Sequence, residues 1–156
     1  MRIIFLLPIL LISLTGFSQK KAEPVKFINP AKSPKPNGYS HAAVIDLGNS
    51  YMVTMSGQVA LDQQGNLVGK DDVATQTRQV FINLKNIVEE AGGSMDNLVK
   101  LTYFILDVSQ IQKVRNVRDE FINVQHPPAS SLVEVSKLFR ADILVEIEAT
   151  AIIPKK

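Results

Sequence analysis

Residues 71–93 read DDVATQTRQVFINLKNIVEEAGG. Val73, Thr77, Val80, Phe81, Leu84, Ile87, Val88 and Ala91 recur at the three- and four-residue spacing that places side chains on one stripe of a helix. Asp71 or Asp72 stands where a side-chain oxygen accepts the first free amides, and Gly92-Gly93 tolerates the left-handed turn that stops a helix. Gln76, Arg78, Lys85 and Glu89 fall on the opposite face and read as its solvated side. A helix with one apolar stripe must lie on an apolar layer, and the sequence on either side reads as strands.

Upstream, Ala42–Leu47 and Tyr51–Ser56 are strand-like and flank the turn residues Gly48-Asn49-Ser50; Gln63-Gln64-Gly65-Asn66 is a second turn. Downstream, Ser94 to Leu98 reads as a short capped turn and Val99–Leu106 as an apolar, β-branched and aromatic strand. Ser109 caps a second helix that carries Ile111, Val114, Val117 or Arg118, Phe121 and Ile122 along one side, and Pro127-Pro128 must break it. Ser131–Leu138 and Ile143–Ile153 are the last strands, joined by Phe139-Arg140-Ala141-Asp142. The predicted order is β-β-α-β-α-β-β, an α+β domain with one mixed sheet and two helices on one face. Its strands are apolar on both sides, so a partner subunit is expected to cover the bare face.

Met1-Arg2, the apolar run Ile3 to Leu14 and the small residues near Ser18 have the three parts of a secretory signal peptide. The run is short of the roughly 20 apolar residues that a membrane span needs. The expected division is a signal peptide over 1–18, an exposed arm rich in lysine and proline over 19–37, and a folded domain over 38–156. At most one short strand is expected in the arm, near Val25–Ile28. The protein is expected to be exported, periplasmic or secreted, and free of the membrane once cleaved. Losing Arg2 takes the formal charge from +2 to +1, too balanced for a nucleic-acid surface. The chain contains no cysteine, which excludes disulfides, thiolate nucleophiles and cysteine-ligated metals.

Phosphate-binding and dinucleotide-binding glycine loops are missing, as are His-x-x-x-His and Gly-x-Ser-x-Gly. His41 and His126 lie far apart and read as polar strand or loop residues rather than as metal ligands. The informative stretch is Pro127-Pro128-Ala129-Ser130-Ser131-Leu132-Val133-Glu134-Val135, followed by Leu144-Val145-Glu146-Ile147-Glu148-Ala149. Strand alternation puts Glu146 and Glu148 on one face, with Val145 and Ile147 on the other. If buried, either carboxyl could exchange protons with a bound water or substrate; if solvated, the pair serves Lys137 or Arg140. The strand alone leaves both readings open.

With these residues the chain resembles the RidA family of reactive-intermediate deaminases, the YjgF-type proteins formerly called endoribonuclease L-PSP. The shared pieces are Gly38-Tyr39-Ser40-His41-Ala42, Ser56-Gly57-Gln58, Thr75 to Gln79, Asn83-Leu84-Lys85, Ala91-Gly92-Gly93, Val99 to Thr102, Pro-Ala-x-Ser and Val-Glu-Ile-Glu-Ala. The resemblance covers about Phe27 to Ile153. It implies a chorismate-mutase-like fold and a homotrimer whose sheets pack round a central barrel, with small-molecule clefts between subunits. It also implies hydrolysis of enamines and imines to a carbonyl compound and ammonia, without metal or organic cofactor. Glu146 would then handle the attacking water, and Tyr39 would line the cleft. Ser130, with Ser131 and Leu132 beside it, stands where the family carries an arginine that holds the substrate carboxylate. A serine hydroxyl is one neutral donor, whereas arginine is a charged planar fork. Arg115, beside Asn116 on the second helix, and Arg140, in the last loop, are the candidate replacements.

Two functions follow: an exported imine or enamine deaminase, or a non-catalytic trimer that binds a small metabolite and has lost turnover with the arginine. A ribonuclease would need a basic aromatic groove that a near-neutral domain does not offer.

Overall fold

The computed structural model describes residues 23–156, so the expected signal peptide, Met1 to Ser18, lies outside the described residues. Six strands and two α-helices follow in the order β1 Val25–Ile28, β2 Ala42–Asp46, β3 Ser50–Gln58, α1 Val73–Glu90, β4 Leu98–Ile105, α2 Ile111–Arg118, β5 Ala129–Glu134 and β6 Val145–Pro154. One-turn 3-10 helices at Met95–Asn97 and Val108–Gln110 introduce β4 and α2.

The strands form a single sheet in the order β1-β2-β3-β6-β4-β5. All neighbours are antiparallel except β4 and β5, which run parallel and are joined through α2. The last strand of the chain is therefore inserted between β3 and β4. Along β6, Val145, Ile147, Ala149, Ala151 and Ile153 are buried, while the residues between them face the other way. The buried set packs with Val53 and Met55 of β3, Leu101 and Ile105 of β4, and the α1 stripe Val80, Phe81, Leu84, Ile87 and Val88. Burying each such side chain is worth about 1.5–3 kcal/mol, which is why the two layers hold.

The expected homotrimer closed round a central barrel is not what the chain builds. The sheet is open: β1 pairs with β2 alone and β5 with β4 alone, and the architecture is that of one chain. Closure would require the two edge strands to meet. The helices already cover one face, so the core is buried without the sheet curling onto itself. The expected strand order also gains a member, because Val25–Ile28 pairs with β2 in register from Val25 opposite Ile45 to Ile28 opposite Ala42. The face away from the helices carries Phe27, 67% exposed, in the same row as Ala43, Thr54, Thr150 and Lys100.

Helix α1 starts where Asp72 Oδ1 accepts the Ala74 amide at 3.0 Å and Oδ2 accepts the Thr75 hydroxyl at 2.6 Å. It ends at Gly92, whose φ of 89° lets the Gly93 amide reach back to Val88 O. Helix α2 is shorter than its periodicity suggests. Beyond Arg118 the chain tightens into a turn in which the Phe121 amide bonds Arg118 O, yet Phe121 still stacks on Phe81 at 5.2 Å. Among the described residues no helix is long and apolar enough to cross a membrane.

Gln76 was expected on the solvated face of α1 and is instead fully buried. Its Nε2 donates to Asp142 O at 2.8 Å and to Gly69 O at 3.2 Å, and its Oε1 accepts the Leu144 amide at 2.8 Å. One amide side chain thus fixes the loop before β6 and the point where β6 begins. Replacing Gln76 with alanine leaves the part-buried Asp142 carbonyl and Leu144 amide without this partner, while Gly69 O keeps the Asp72 amide. The variant should lose about 2–3 kcal/mol in urea unfolding, more than an exposed substitution such as Lys85→Ala on the same helix.

Candidate functional site

Glu146 is the second residue of β6 and points away from the helices, in the row of Phe104 and Val133. Beside it, β3 carries an irregularity. Met55 lies opposite Ala149, but Gln58 lies opposite Ile147, so β3 holds one residue more than β6 across this interval. Such a bulge bends a strand locally and often borders a functional site. Gly57 falls inside it, and a Cβ there would collide with the carboxylate oxygen, Cδ and Cγ of Glu146. Glycine at this position is what lets the acid lie flat against the β3 backbone.

Glu146 forms one wall of a cleft of about 530 Å³. The end of β3 and the residues after it contribute Ser56, Gly57, Val59 and Leu61, the segment before β2 contributes Lys35, Asn37 and Tyr39, and the loop before β6 contributes Phe139. The volume falls within the roughly 300–1,000 Å³ typical of small-molecule sites. Ser56 ties the side holding Tyr39 to β3: its Oγ donates to Ser40 O at 2.7 Å and its amide to His41 O at 2.9 Å. His41 is buried and fastens the preceding segment. Its amide donates to Asn29 Oδ1 at 2.9 Å, and its Nε2 lies 2.7 Å from Pro34 O, so Nε2 carries a proton. Tyr39 stands edge-on to the His41 ring at 5.5 Å.

Burial pushes the Glu146 carboxyl above its ordinary value, and the Glu148 carboxylate two residues along adds to the rise. Burial likewise raises the Tyr39 phenol, followed by the charge of Glu146, so the hydroxyl stays protonated near neutral pH and available to donate. Glu146 accepts no hydrogen bond from the described residues (its nearest competitor for solvent, Glu148, is exposed). A half-buried carboxyl with a raised pKa, next to a phenol and open space, can take a proton from a small molecule and return it.

The sequence-derived candidates separate into two groups. Tyr39 and Glu146 meet in this cleft. Ser130 and Leu132 lie in the rows of Leu101 and Tyr103, on the helix side of the sheet, where they border shallow hollows with Tyr103 and Arg118. Ser131 turns to the opposite face, where its hydroxyl accepts from Lys100 Nζ at 2.7 Å. Arg115 borders the smaller hollow, whereas Asn116 accepts from Gln112 Nε2 at 2.8 Å along the outside of α2. Arg140 is held bidentately by Asp142 at 2.9 and 2.6 Å and is not free for a ligand. Neither His41 nor His126 belongs to a metal-binding cluster among the described residues.

Two residues of interest carried no sequence signal of their own. Arg118, read only as a helix-face alternative to Val117, is the guanidinium beside Ser130 and the Tyr103 hydroxyl, paired with Asp119 at 2.7 Å. Lys35 sits among the lysines and prolines of the arm and lines the Glu146 cleft.

A sequence profile of the family described as endoribonuclease L-PSP matches residues 31–153. A RutC family protein of Pyrococcus abyssi is 39% identical over 121 residues, 77% of this chain and 91% of that protein. The 2-iminobutanoate/2-iminopropanoate deaminase of Escherichia coli K12 is 38% identical over 110 residues, 69% of this chain and 83% of that enzyme. Among solved structures, the E. coli YjgF gene product superposes with a TM-score of 0.70 at 36% identity, covering 81% of this chain and 98% of that one. E. coli TdcF with bound serine gives 0.70 at 33% identity, over 84% and 99%.

The raised Glu146 pKa carries a stability consequence with a fixed sign. The folded state holds this proton more tightly than the unfolded chain, so the acid costs nothing at pH values below the unfolded pKa. Its cost appears as pH rises through the folded pKa. Glu146→Gln should therefore match or exceed the parent in thermal unfolding at pH 8, and the difference should shrink towards zero by pH 4. A variant less stable than the parent at pH 8 but not at pH 4 would show that the charged form of Glu146 is stabilising instead.

Proposed function

We propose that this chain, which belongs to the RidA/YjgF (endoribonuclease L-PSP) family, hydrolyses enamines or imines to a carbonyl compound and ammonia. The observation that carries the reading is the half-buried Glu146, with its raised pKa, packed against Gly57 and sharing the cleft with Tyr39. The activity of the E. coli relative, a 2-iminobutanoate/2-iminopropanoate deaminase, supplies the reaction class.

In the proposed step, the oxygen of a water adds to the imine carbon as the C=N π pair moves to nitrogen. Glu146 takes a proton from the water and delivers one to nitrogen. The resulting carbinolamine expels ammonia as the carbonyl forms, and Glu146 ends as it began. Tyr39 donates to the oxygen while it carries charge. An enamine enters the same path once its β-carbon has been protonated. A carboxyl whose pKa lies closer to the working pH suits a group that both removes and returns a proton.

Ser130 faces the helix side of its own sheet, so whatever residue 130 contributes to a Glu146 cleft comes from a second copy of the chain. Self-association is accordingly part of the proposal. Action outside the cytoplasm is another part, supported by the signal-like pattern over residues 1–18. Ser130 also favours a second reading, a protein that binds a small metabolite without turning it over.

The test is ammonia release from freshly generated 2-iminopropanoate by the parent, Glu146→Gln and Ser130→Arg. Turnover by the parent that falls at least about 100-fold in Glu146→Gln supports the deaminase. Turnover only in Ser130→Arg favours the binding module, with the machinery intact but the acidic substrate abandoned. Parent activity unchanged in Glu146→Gln would sink the assignment of the carboxyl.

A further inference from the structure

The sequence holds one Asn-Gly pair, Asn37-Gly38, and Asn37 lines the Glu146 cleft. Both residues are exposed, and neither the Asn37 side chain nor the Gly38 amide bonds any described residue. The other asparagine side chains are engaged, as Asn83 is with Val59 O and Leu61 O and Asn97 with the Ser94 amide. Asn86 is the exception, and it lies inside α1, where the amide that follows it is committed to the helix ladder. Gly38 has a φ of 78°, and no atom stands within 4 Å of the place a Cβ would take. The span that carries the pair is short and tied at both ends. His41 Nε2 donates to Pro34 O at 2.7 Å, and Ser56 Oγ donates to Ser40 O at 2.7 Å. An open, unbonded Asn-Gly pair is thus held against the cleft by its flanks.

We propose that Asn37-Gly38 is a self-modification site, at which Asn37 turns into isoaspartate and aspartate in the folded protein and gives the Glu146 cleft a second carboxylate. Once the Gly38 amide has lost its proton to solvent base, its nitrogen adds to the side-chain carbonyl carbon of Asn37. The new C–N bond closes a succinimide ring, the bond to the side-chain nitrogen breaks, and that nitrogen leaves as ammonia with a proton from water. Water then opens the ring. Attack at the former side-chain carbonyl yields aspartate; attack at the backbone carbonyl yields isoaspartate, whose main chain runs through Cβ and Cγ. Water is consumed, ammonia is released, and nothing is oxidised or reduced. Glycine suits the step because no side chain crowds its nitrogen, and an amide without a hydrogen bond is open to base. The chemistry asks nothing of Glu146 and stands whether or not the cleft hydrolyses imines. For the cleft the result has a direction: a like charge nearby raises the Glu146 carboxyl further, and the lengthened main chain of the isoaspartate form shifts Tyr39, two residues on.

The test is storage of the folded protein at pH 8 and at pH 6, followed by intact mass and by mapping of the peptide that holds Asn37. A gain of about one mass unit per chain, confined to that peptide and several-fold faster at pH 8, is expected. Asn37→Gln, whose longer side chain must close a larger ring, and Gly38→Ala should each slow the gain at least about tenfold. A constant mass, a gain spread equally over other asparagines, or a gain only after unfolding in urea would overturn the proposal. The effect on the cleft is tested with Asn37→Asp, which carries the aspartate product from the start. The Glu146 carboxyl, followed by NMR, should titrate at higher pH in that variant than in the parent, and an unmoved titration would overturn the link to the cleft. The ammonia from Asn37 is stoichiometric with the protein, so its release never imitates turnover of an imine.

Discussion

Strand β6 is hydrogen-bonded along both edges, to β3 and to β4, and alternate side chains along it are pressed into the layer beneath the helices. A slip of one residue would turn Val145, Ile147 and Ala149 out of the core and drive Glu146 and Glu148 into it, so the register is fixed by apolar burial on one side. The position of the acid on the other side follows from that constraint. Gln76 sets where the strand begins, from within the helix that the strand packs against. The cleft is therefore built from the core outwards, and the carboxyl inherits the rigidity of the best-packed element.

The same arrangement shows where the cleft costs the fold stability. A carboxyl raised by burial and by a like charge two residues away is less favourable in its ionised form than it would be in water. The bulge at Ser56–Gly57 leaves the acid lying against a bare backbone. Both features go against the local rules that make a strand regular, and both occur together at one point of the sheet.

Much of this was legible in the sequence. The α1 stripe, its aspartate cap and its glycine stop carry period and punctuation that local physics reads directly, and the face shared by Glu146 and Glu148 follows from strand alternation. Ser130 and Ser131 were grouped by adjacency, although the same alternation sends them to opposite faces; the rule was available for β5 as for β6. Gln76 could not be found this way, because a polar residue is buried only when distant groups, here Asp142 O and the Leu144 amide, come to it. Lys35 was hidden by its surroundings, since a lysine between prolines reads as solvent-exposed arm until His41 is seen to hold that arm in place. The barrel failed for a different reason. It was implied by resemblance rather than by any residue of the chain, and the free edges of β1 and β5 are a property of pairing that no single strand's pattern reports.

The central place of β6 has a consequence for the order of events as the chain is made. Its ten residues come after the other five strands in the chain, and both of its neighbours precede it by dozens of residues. Until it arrives, β3 and β4 have no strand between them and α1 has only part of its floor. Pairings so distant in sequence form slowly and only after the intervening chain is available. Completion of the sheet therefore waits for β6, whatever local structure α1 and the earlier hairpin have already formed.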